Sequence, residues 1–179
     1  MSKKIAIITS SCRPKGNSNS LAEEFARGAQ EAGHTVTITS LPRTTINGCL
    51  GCLGCQRNGG TCVQNDDMTP IYKDLREADV WVFATPVYFY NLASRLKTVM
   101  DRCFALFGGQ YEKKAYLIYS ATDTNLSAME AMETTFGQFV ACFNGIENAG
   151  VIRGVGASDP GDVQKLPVFQ EAYEAGKSV

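Results

Sequence analysis

Apolar runs alternate with amphipathic stretches along the whole chain, and this alternation predicts its secondary structure. Residues 3–9 (KKIAIIT) are apolar and β-branched without polar alternation, which is typical of a strand buried on both faces. Similar runs predict further strands at residues 35–41, 79–85, 115–121 and 148–156. Apolar residues at helical spacing predict helices between these strands, at residues 20–32, 68–75, 92–103, 132–140 and near 168–176.

This repeated order of strand and helix predicts an α/β fold. It favours a doubly wound, five-stranded parallel sheet with helices on both faces. No repeat, low-complexity tract or linker interrupts the pattern, so residues 1–179 are expected to form a single domain. Ligands of such sheets bind beyond the carboxyl ends of the strands, at the point where the strand order reverses. The loops after strands one, three and four are therefore the candidate site.

Composition and charge exclude several classes of protein. Hydrophobic residues make up 44% of the chain and charged residues 20%, and the formal net charge is −1. Without a basic stripe, binding to nucleic acid or to an anionic membrane is not expected. The longest apolar run, residues 80–90, is too short to span a membrane, and no signal-peptide core follows the N-terminus. We therefore expect a cytoplasmic protein, in which seven cysteines favour metal binding, redox chemistry or packing over disulfides.

The loop after the first strand has the composition of an anion site. Residues 10–21 read SSCRPKGNSNSL, which supplies hydroxyl, amide and cationic groups immediately before a helix. Backbone N–H groups at a helix N-terminus bind anions with help from the helix dipole. The loop is neither a Walker A motif nor a G-x-G-x-x-G motif, which disfavours nucleoside triphosphate chemistry. A capped helix after a polar turn is the simpler alternative.

The loop after the third strand is aromatic. Pro86 is expected to end the pairing of that strand, and Tyr88, Phe89 and Tyr90 follow. Aromatic residues at this edge of a sheet suit a flat heterocycle, which they can contact with a large area. The alternative is that they pack against a neighbouring helix or a second subunit.

Residues 49–62 (CLGCLGCQRNGGTC) hold four cysteines at the spacing C-x2-C-x2-C-x6-C, and we call this segment the cysteine loop. Its glycines permit a tight backbone around a [4Fe–4S] cluster. Zinc is an alternative, although structural zinc more often takes two separated cysteine pairs. A disulfide is disfavoured by the compartment, and free thiols remain an alternative. Cys103 and Cys142 lie on apolar helical faces and are expected in the core.

Four stretches together resemble the flavodoxin-like NAD(P)H-dependent FMN reductases and iron–sulfur flavoproteins. They are SSCRPKGNSNSL, INGCLGCLGCQRNGGTCVQNDDM, ATPVYFYNLASRLKTVMDR and the AGH before strand two, which cover most of residues 5–102. The resemblance implies FMN as the cofactor. By position it assigns the FMN phosphate to Ser11, Arg13, Asn17, Ser18 and Asn19, the isoalloxazine to Pro86, Val87, Tyr88 and Phe89, and a third contact region to Ser120, Ala121 and Thr122. It also implies a possible [4Fe–4S] ligand set of Cys49, Cys52, Cys55 and Cys62.

The function that the resemblance implies is oxidation of NAD(P)H by bound FMN, followed by electron transfer to a quinone, a flavin, a nitro compound or a redox partner. The cofactor carries the chemistry, so no catalytic acid or base is expected. His34 is the only histidine, and no Ser–His–Asp set can be built around it. The alternative is an iron–sulfur flavoprotein that transfers electrons from a ferredoxin-type donor, although a net charge of −1 disfavours a free shuttle. A flavin sensor or storage protein has no dedicated feature, and a homodimer or homotetramer is expected.

Overall fold

Five parallel strands form the centre of the molecule in a computed structural model that describes residues 1–179. Their order is β2-β1-β3-β5-β6, and the short strand β4 pairs with β3 in the antiparallel direction. The predicted flavodoxin-like fold class is therefore confirmed, with β4 as an addition to the five predicted strands. The strands are β1 (Lys4–Thr9), β2 (Thr35–Ser40), β3 (Val80–Tyr88), β4 (Asn91–Leu92), β5 (Gln110–Ala121) and β6 (Asn144–Val155).

Helices cover both faces of this sheet. They are α1 (Asn17–Glu31), α2 (Gly54–Arg57), α3 (Met68–Glu77), α4 (Ser94–Arg102), α5 (Glu130–Ala141) and α6 (Pro167–Lys177). Short 3-10 helices lie at Leu41–Arg43, Cys103–Leu106, Leu126–Met129 and Asp162–Lys165. None of the helices combines the length and the apolar character that crossing a membrane would need.

Successive residues of each central strand enter two separate hydrophobic cores. Ile5 and Ile7 belong to the core that α1 and α6 cover, whereas Ala6 and Ile8 belong to the core under α3, α4 and α5. Trp81 on β3 lies in the second core and is fully buried. Because side chains alternate between the two faces of a strand, burial on both faces removes the polar positions. This explains the uninterrupted apolar runs of the sequence.

Two expectations about single residues are wrong. Pro86 does not end the pairing of β3, because it lies in register with Ser120 of β5 and the strand continues to Tyr88. Since β1 ends opposite Ala84, a proline beyond that point removes no hydrogen bond between β3 and β1. Cys142 is exposed, because it follows the last residue of α5, whereas Cys103 is buried as expected.

The strand order places the candidate loops side by side. The chain passes from β1 to β2 on one side of β1, and it then crosses back to β3, β5 and β6 on the other side. The carboxyl ends of β1, β3 and β5 therefore meet at one edge beside this reversal, where open α/β sheets bind their ligands.

Candidate functional site

The segment from Ser11 to the start of α1, which we call the phosphate loop, presents free hydrogen-bond donors. Helix α1 begins at Asn17 without a side-chain cap and without an acidic residue in its first turn. Its first backbone N–H groups have no partner within the helix. The Ser18 hydroxyl is buried and has no hydrogen-bond partner. The loop therefore fits an anionic group such as a phosphate, which would accept these hydrogen bonds.

Gly16 gives this loop its close packing. A Cβ atom at Gly16 would lie 2.2 Å from the Ser11 Oγ atom and 3.2 Å from the Arg13 carbonyl oxygen. Any other residue would displace the Ser11 side chain, because real Cβ contacts are not that short. Gly16 is thus a site residue that the resemblance did not assign individually, although it stands within the quoted SSCRPKGNSNSL stretch.

The phosphate loop is fastened to the connection between β6 and α6. The Asn17 Nδ2 atom donates to the Asp159 carbonyl over 3.0 Å, and its Oδ1 atom accepts from the Gly161 N–H over 3.1 Å. The Arg13 guanidinium donates to the Ser158 carbonyl over 3.0 Å. The polar groups of Asn17 therefore brace the loop, while the first N–H groups of α1 and the Ser18 hydroxyl remain for a ligand. The Ser11 Oγ atom accepts from the Arg13 N–H over 3.3 Å and keeps its own proton to donate.

A cleft opens where the loops after β1, β3, β5 and β6 meet. Phe89 lies outside this cleft with its side chain fully exposed, and Ser18 and Asn19 are not on its wall. The Asn19 amide instead donates to the Ser11 carbonyl over 3.4 Å. Sequence reasoning missed the β6 loop, whose small residues follow a strand end in the same way as the other three loops. The cleft is lined by Ser11, Arg13, Gly16, Asn17, Pro86, Val87, Tyr88, Ser120, Ala121, Thr122, Ala157 and Ser158.

The three aromatic residues form the tip of a hairpin, which we call the aromatic turn. Tyr88 pairs with Asn91 across it, so Phe89 and Tyr90 are its two central residues. Both are in the left-handed region, with φ of 48° and 59°. Two-residue hairpins with a type I′ turn require this conformation at both positions and normally use Asn-Gly to supply it. Non-glycine residues held in this way are concentrated at functional sites.

The Thr85 side chain forms hydrogen bonds to the segments on both sides of the aromatic turn. Its side chain is fully buried, and its Oγ1 atom accepts from the Ala93 N–H over 3.0 Å and donates to the Pro86 carbonyl over 2.9 Å. The hydroxyl therefore joins the strand that enters the turn to the segment that leaves it. This fixes the position of Pro86, Val87 and Tyr88 at the cleft wall.

A polar network that runs from buried Tyr119 to the exposed Arg153 adjoins the β5 side of the cleft. The Tyr119 hydroxyl, next to Ser120 in the chain, donates to the Glu133 carboxylate over 2.9 Å, and Arg153 donates to the same carboxylate. Burial and the hydrogen bond to Glu133 raise the pKa of Tyr119, so its hydroxyl stays protonated. Tyr119 is therefore a fixed hydrogen-bond donor behind the cleft.

The four thiols of the cysteine loop are not brought together. Cys49 and Cys52 are exposed, and Cys55 and Cys62 are half-buried against the core under α3 and α4. No group of three or more cysteine, histidine, aspartate or glutamate side chains is arranged to hold a metal ion. A [4Fe–4S] cluster needs four thiolates around one cubane, so the residues in this arrangement do not fit it.

Comparison with known proteins identifies the family. The family model described as NADPH-dependent FMN reductase matches residues 3–151. The chain belongs to the NADPH-dependent FMN reductase family. The predicted NAD(P)H-dependent FMN oxidoreductase is thereby confirmed at the level of the family, and FMN is the cofactor that the phosphate loop and the cleft fit.

Two relatives of this FMN reductase family member are named iron–sulfur flavoproteins. One from Methanocaldococcus jannaschii is 34% identical over 136 residues, covering 75% of this chain and 68% of the relative. A second from the same organism is 42% identical over 77 residues, covering 43% of this chain and 39% of the relative. The match thus spans well under half the length of the second relative.

A solved structure agrees with the fold of this FMN reductase family member. The NAD(P)H:quinone oxidoreductase from Methanothermobacter marburgensis superposes with a TM-score of 0.78. The comparison covers 99% of this chain and 97% of that chain, at 19% sequence identity. This similarity supports the flavodoxin-like architecture alone.

Proposed function

We propose that this chain binds FMN in the cleft and uses it to oxidise NAD(P)H, passing the electrons to a small acceptor such as a quinone, a free flavin or a nitro compound. The observation that carries the proposal is the union, at one sheet edge, of an uncapped helix N-terminus and a strained aromatic turn. The first suits a phosphate and the second suits a flat ring system.

Each end of the cofactor has a candidate set of residues in this proposal. The N–H groups that open α1, the Ser11 hydroxyl and the Arg13 guanidinium would hold the phosphate. The resemblance assigns Ser18 and Asn19 to the same group, and the buried, unpartnered hydroxyl of Ser18 supports that assignment. Phe89 stays a candidate only through its place in the aromatic turn, since its side chain is fully exposed. Pro86, Val87 and Tyr88 on one side, and Ser120, Ala121 and Thr122 on the other, would line the isoalloxazine.

The chain's own part in the reaction is binding and orientation. When bound, FMN supplies reversible two-electron chemistry, accepting hydride from a reduced nicotinamide and delivering electrons to a second substrate. The cleft wall contains no histidine, aspartate, glutamate, lysine or cysteine, and the proposal assigns no general acid–base role to Tyr88, the one wall residue of a type that can serve in that way. The groups on the wall instead fix the position of the ring and shield one side of it from water.

Anaerobic visible spectroscopy tests the proposal. FMN-loaded protein is expected to show resolved flavin bands that bleach on addition of NADPH or NADH and return on addition of a quinone. Dithionite serves as the control that the bound flavin can be reduced. Bleaching by dithionite but by neither nicotinamide would contradict the proposal.

An iron–sulfur electron-transfer module is the second candidate. The names of the two relatives and the C-x2-C-x2-C-x6-C spacing support it, although the cysteine loop would have to rearrange to hold a cluster. Iron and sulfide analysis of anaerobically purified protein distinguishes the two candidates. Stoichiometric iron and sulfide, with flavin reduction by ferredoxin and not by nicotinamides, would favour the module.

A further inference from the structure

The cysteine loop and its two flanking stems lack the apolar anchors that hold other parts of the molecule. Between Thr44 and Asp67, Gly54 is the single buried residue. Ile46, Cys55 and Cys62 only touch the edge of the core from half-buried positions. Because apolar burial supplies little here, polar contacts have to fix the path of this segment.

One buried ion pair joins the two stems of the loop. The Arg102 guanidinium donates to both oxygens of Asp66, over 2.7 and 3.0 Å, and the two side chains are 1% and 6% exposed. Arg102 also donates to the Asn47 carbonyl over 2.8 Å, and Asp66 accepts from the Asn47 N–H over 3.0 Å. The residues before and after the loop are thus held by the same two charges, and we call this group the stem clamp.

Further contacts hold the loop itself against the body of the protein. Gln56 donates to the Phe104 carbonyl over 2.8 Å, two residues beyond Arg102, and Arg76 of α3 donates to the Gly60 carbonyl over 2.7 Å. Both contacts end on backbone carbonyls. Neither of these two contacts involves a thiol of the loop.

The stem clamp is sensitive to the loss of either partner. Removing one member of a buried ion pair leaves the other charge without compensation, whereas a surface pair contributes little. The Arg102 Nε atom is already buried without an acceptor, and Asp66 is the one charged partner of the guanidinium. Loss of Asp66 or of the guanidinium would remove these contacts from both stems and leave the Thr45–Asp67 hydrogen bonds as the remaining link at their base.

We propose that the Arg102–Asp66 ion pair is the positioning element of the cysteine loop and that it separates the four thiols into two classes. In the clamped loop Cys49 and Cys52 are accessible, and Cys55 and Cys62 are sheltered against the core. Arg102 and Asp66 act through the stems and touch neither the cleft nor a substrate. The proposal does not rest on FMN binding, so its failure would leave the proposed function unaffected.

Site-resolved alkylation tests the stem clamp. Full-length protein with Cys12→Ser and Cys142→Ser is treated with a chelator and then with N-ethylmaleimide, and the rate at each remaining cysteine is measured by mass spectrometry. Cys49 and Cys52 are expected to react about tenfold faster than Cys55 and Cys62, because a sheltered group reacts through local opening. Arg102→Met is expected to bring the two sheltered thiols to the rate of Cys49, and Arg102→Lys to restore part of the difference.

Cys103 and a variant on the same helix are the controls. Cys103 is fully buried and burial raises its pKa to about 12, so it reacts only when the core under α3, α4 and α5 opens. Lys97→Met removes the exposed Lys97–Asp101 pair from α4 and is expected to change none of the rates. If Arg102→Met does not fold, Asp66→Asn tests the same pair with a neutral side chain of equal size.

Three results would overturn the proposal. Equal rates at all four loop cysteines in the parent protein would show that the loop has no sheltered pair. Unchanged rates in a folded Arg102→Met or Asp66→Asn variant would show that the ion pair does not position the loop. An alkylation rate at Cys103 that rises together with the rates at Cys55 and Cys62 would show that the variant destabilises the core and does not release the loop alone.

Discussion

Gly16 and Ser11 show how closely single residues determine the phosphate loop. The loop can close only because no side chain stands between the Ser11 hydroxyl and the backbone at Gly16. A glycine at such a position lets the backbone come close to a ligand or to another part of the chain. Its role here is steric, because its φ of −64° is open to any residue.

Gly16→Ala is expected to weaken FMN binding by about tenfold, or about 1.4 kcal/mol. The new Cβ would meet Ser11 Oγ at 2.2 Å and so displace a predicted phosphate ligand. Fluorescence titration of the apoprotein with FMN measures the dissociation constant. Gly137→Ala in α5 is the matched control, because the nearest atom to its added Cβ would be 3.7 Å away. Unchanged binding in Gly16→Ala would contradict the placement of the phosphate.

Sequence reasoning reached the residues of this loop but not all of their contacts. Ser11 and Arg13 stand in a recognisable local stretch, and both line the cleft. Asn17 belongs to the same stretch, yet its amide binds Asp159 and Gly161, which are more than 140 residues away in the chain. These long-range hydrogen bonds also place Ser158 on the cleft wall. No local pattern specifies such a contact.

At the scale of whole elements, the aromatic turn adopts a backbone conformation that its own residues disfavour. A two-residue hairpin needs left-handed residues, and Phe89 and Tyr90 adopt that conformation at an expected cost of about 1–3 kcal/mol each. The sequence predicted the strand and the aromatic cluster here but not the hairpin, because Phe-Tyr lacks the Asn-Gly signal. The surrounding contacts of Thr85 and β4 impose it instead.

Replacing the two central residues of the aromatic turn is expected to stabilise the apoprotein and to weaken its binding of FMN. Phe89→Asn with Tyr90→Gly should raise the free energy of unfolding of the apoprotein by about 1–2 kcal/mol, because the strain is relieved. The melting temperature should rise by roughly 2–4 °C for each kcal/mol. The additional stabilisation by FMN should decrease, because the proposal keeps Phe89 as a candidate contact of the cofactor. Thermal melts with and without FMN measure both effects.

Leu126→Asn, which changes another exposed apolar residue, is the control for the altered surface in these melts. It should leave both melting temperatures near those of the parent protein. A double variant at the turn that melts at a lower temperature without FMN would show that Phe89 and Tyr90 stabilise the fold.

For the molecule as a whole, the Arg102–Asp66 pair joins the connection between β2 and α3 to the end of α4. Burial alone would raise the pKa of Asp66, but hydrogen bonds from Arg102 and from the Asn47 and Met68 amides outweigh it and lower the pKa below its ordinary value. A carboxyl with a lowered pKa stabilises the fold above its unfolded pKa. This contribution is lost as the pH falls through the folded pKa.

Asp66→Asn is therefore expected to destabilise the protein in a pH-dependent manner. At pH 7 the loss should be about 3 kcal/mol, because the buried Arg102 loses its counter-charge. The difference from the parent protein should shrink below about pH 4, where Asp66 of the unfolded chain begins to be protonated, and it should be lost as the pH falls through the lower folded pKa. Urea unfolding at several pH values measures both. Asp101→Asn, in an exposed pair, should cost less than about 1 kcal/mol. A loss for Asp66→Asn that does not vary with pH would contradict this account.

Features of the whole molecule that depend on local sequence could be predicted, whereas features that depend on contacts between distant residues could not. Uninterrupted apolar runs such as residues 3–9 specify buried parallel strands, and the sheet order agrees with the predicted class. The cysteine spacing predicted a cluster of thiols, but spacing along the chain does not fix where sulfur atoms lie in space. The stem clamp could not be foreseen, since Asp66 and Arg102 are 36 residues apart.

The construction of the cysteine loop has an evolutionary consequence. Its ends are brought together at Asn47 and Asp66, and the segment between them contributes a single buried residue to the interior. A segment attached in this way can be shortened, lengthened or replaced through successive generations while the sheet and both cores remain intact. Descendants of one flavin-binding ancestor could therefore gain or lose a thiol-rich insert at this connection without rebuilding the protein that carries it.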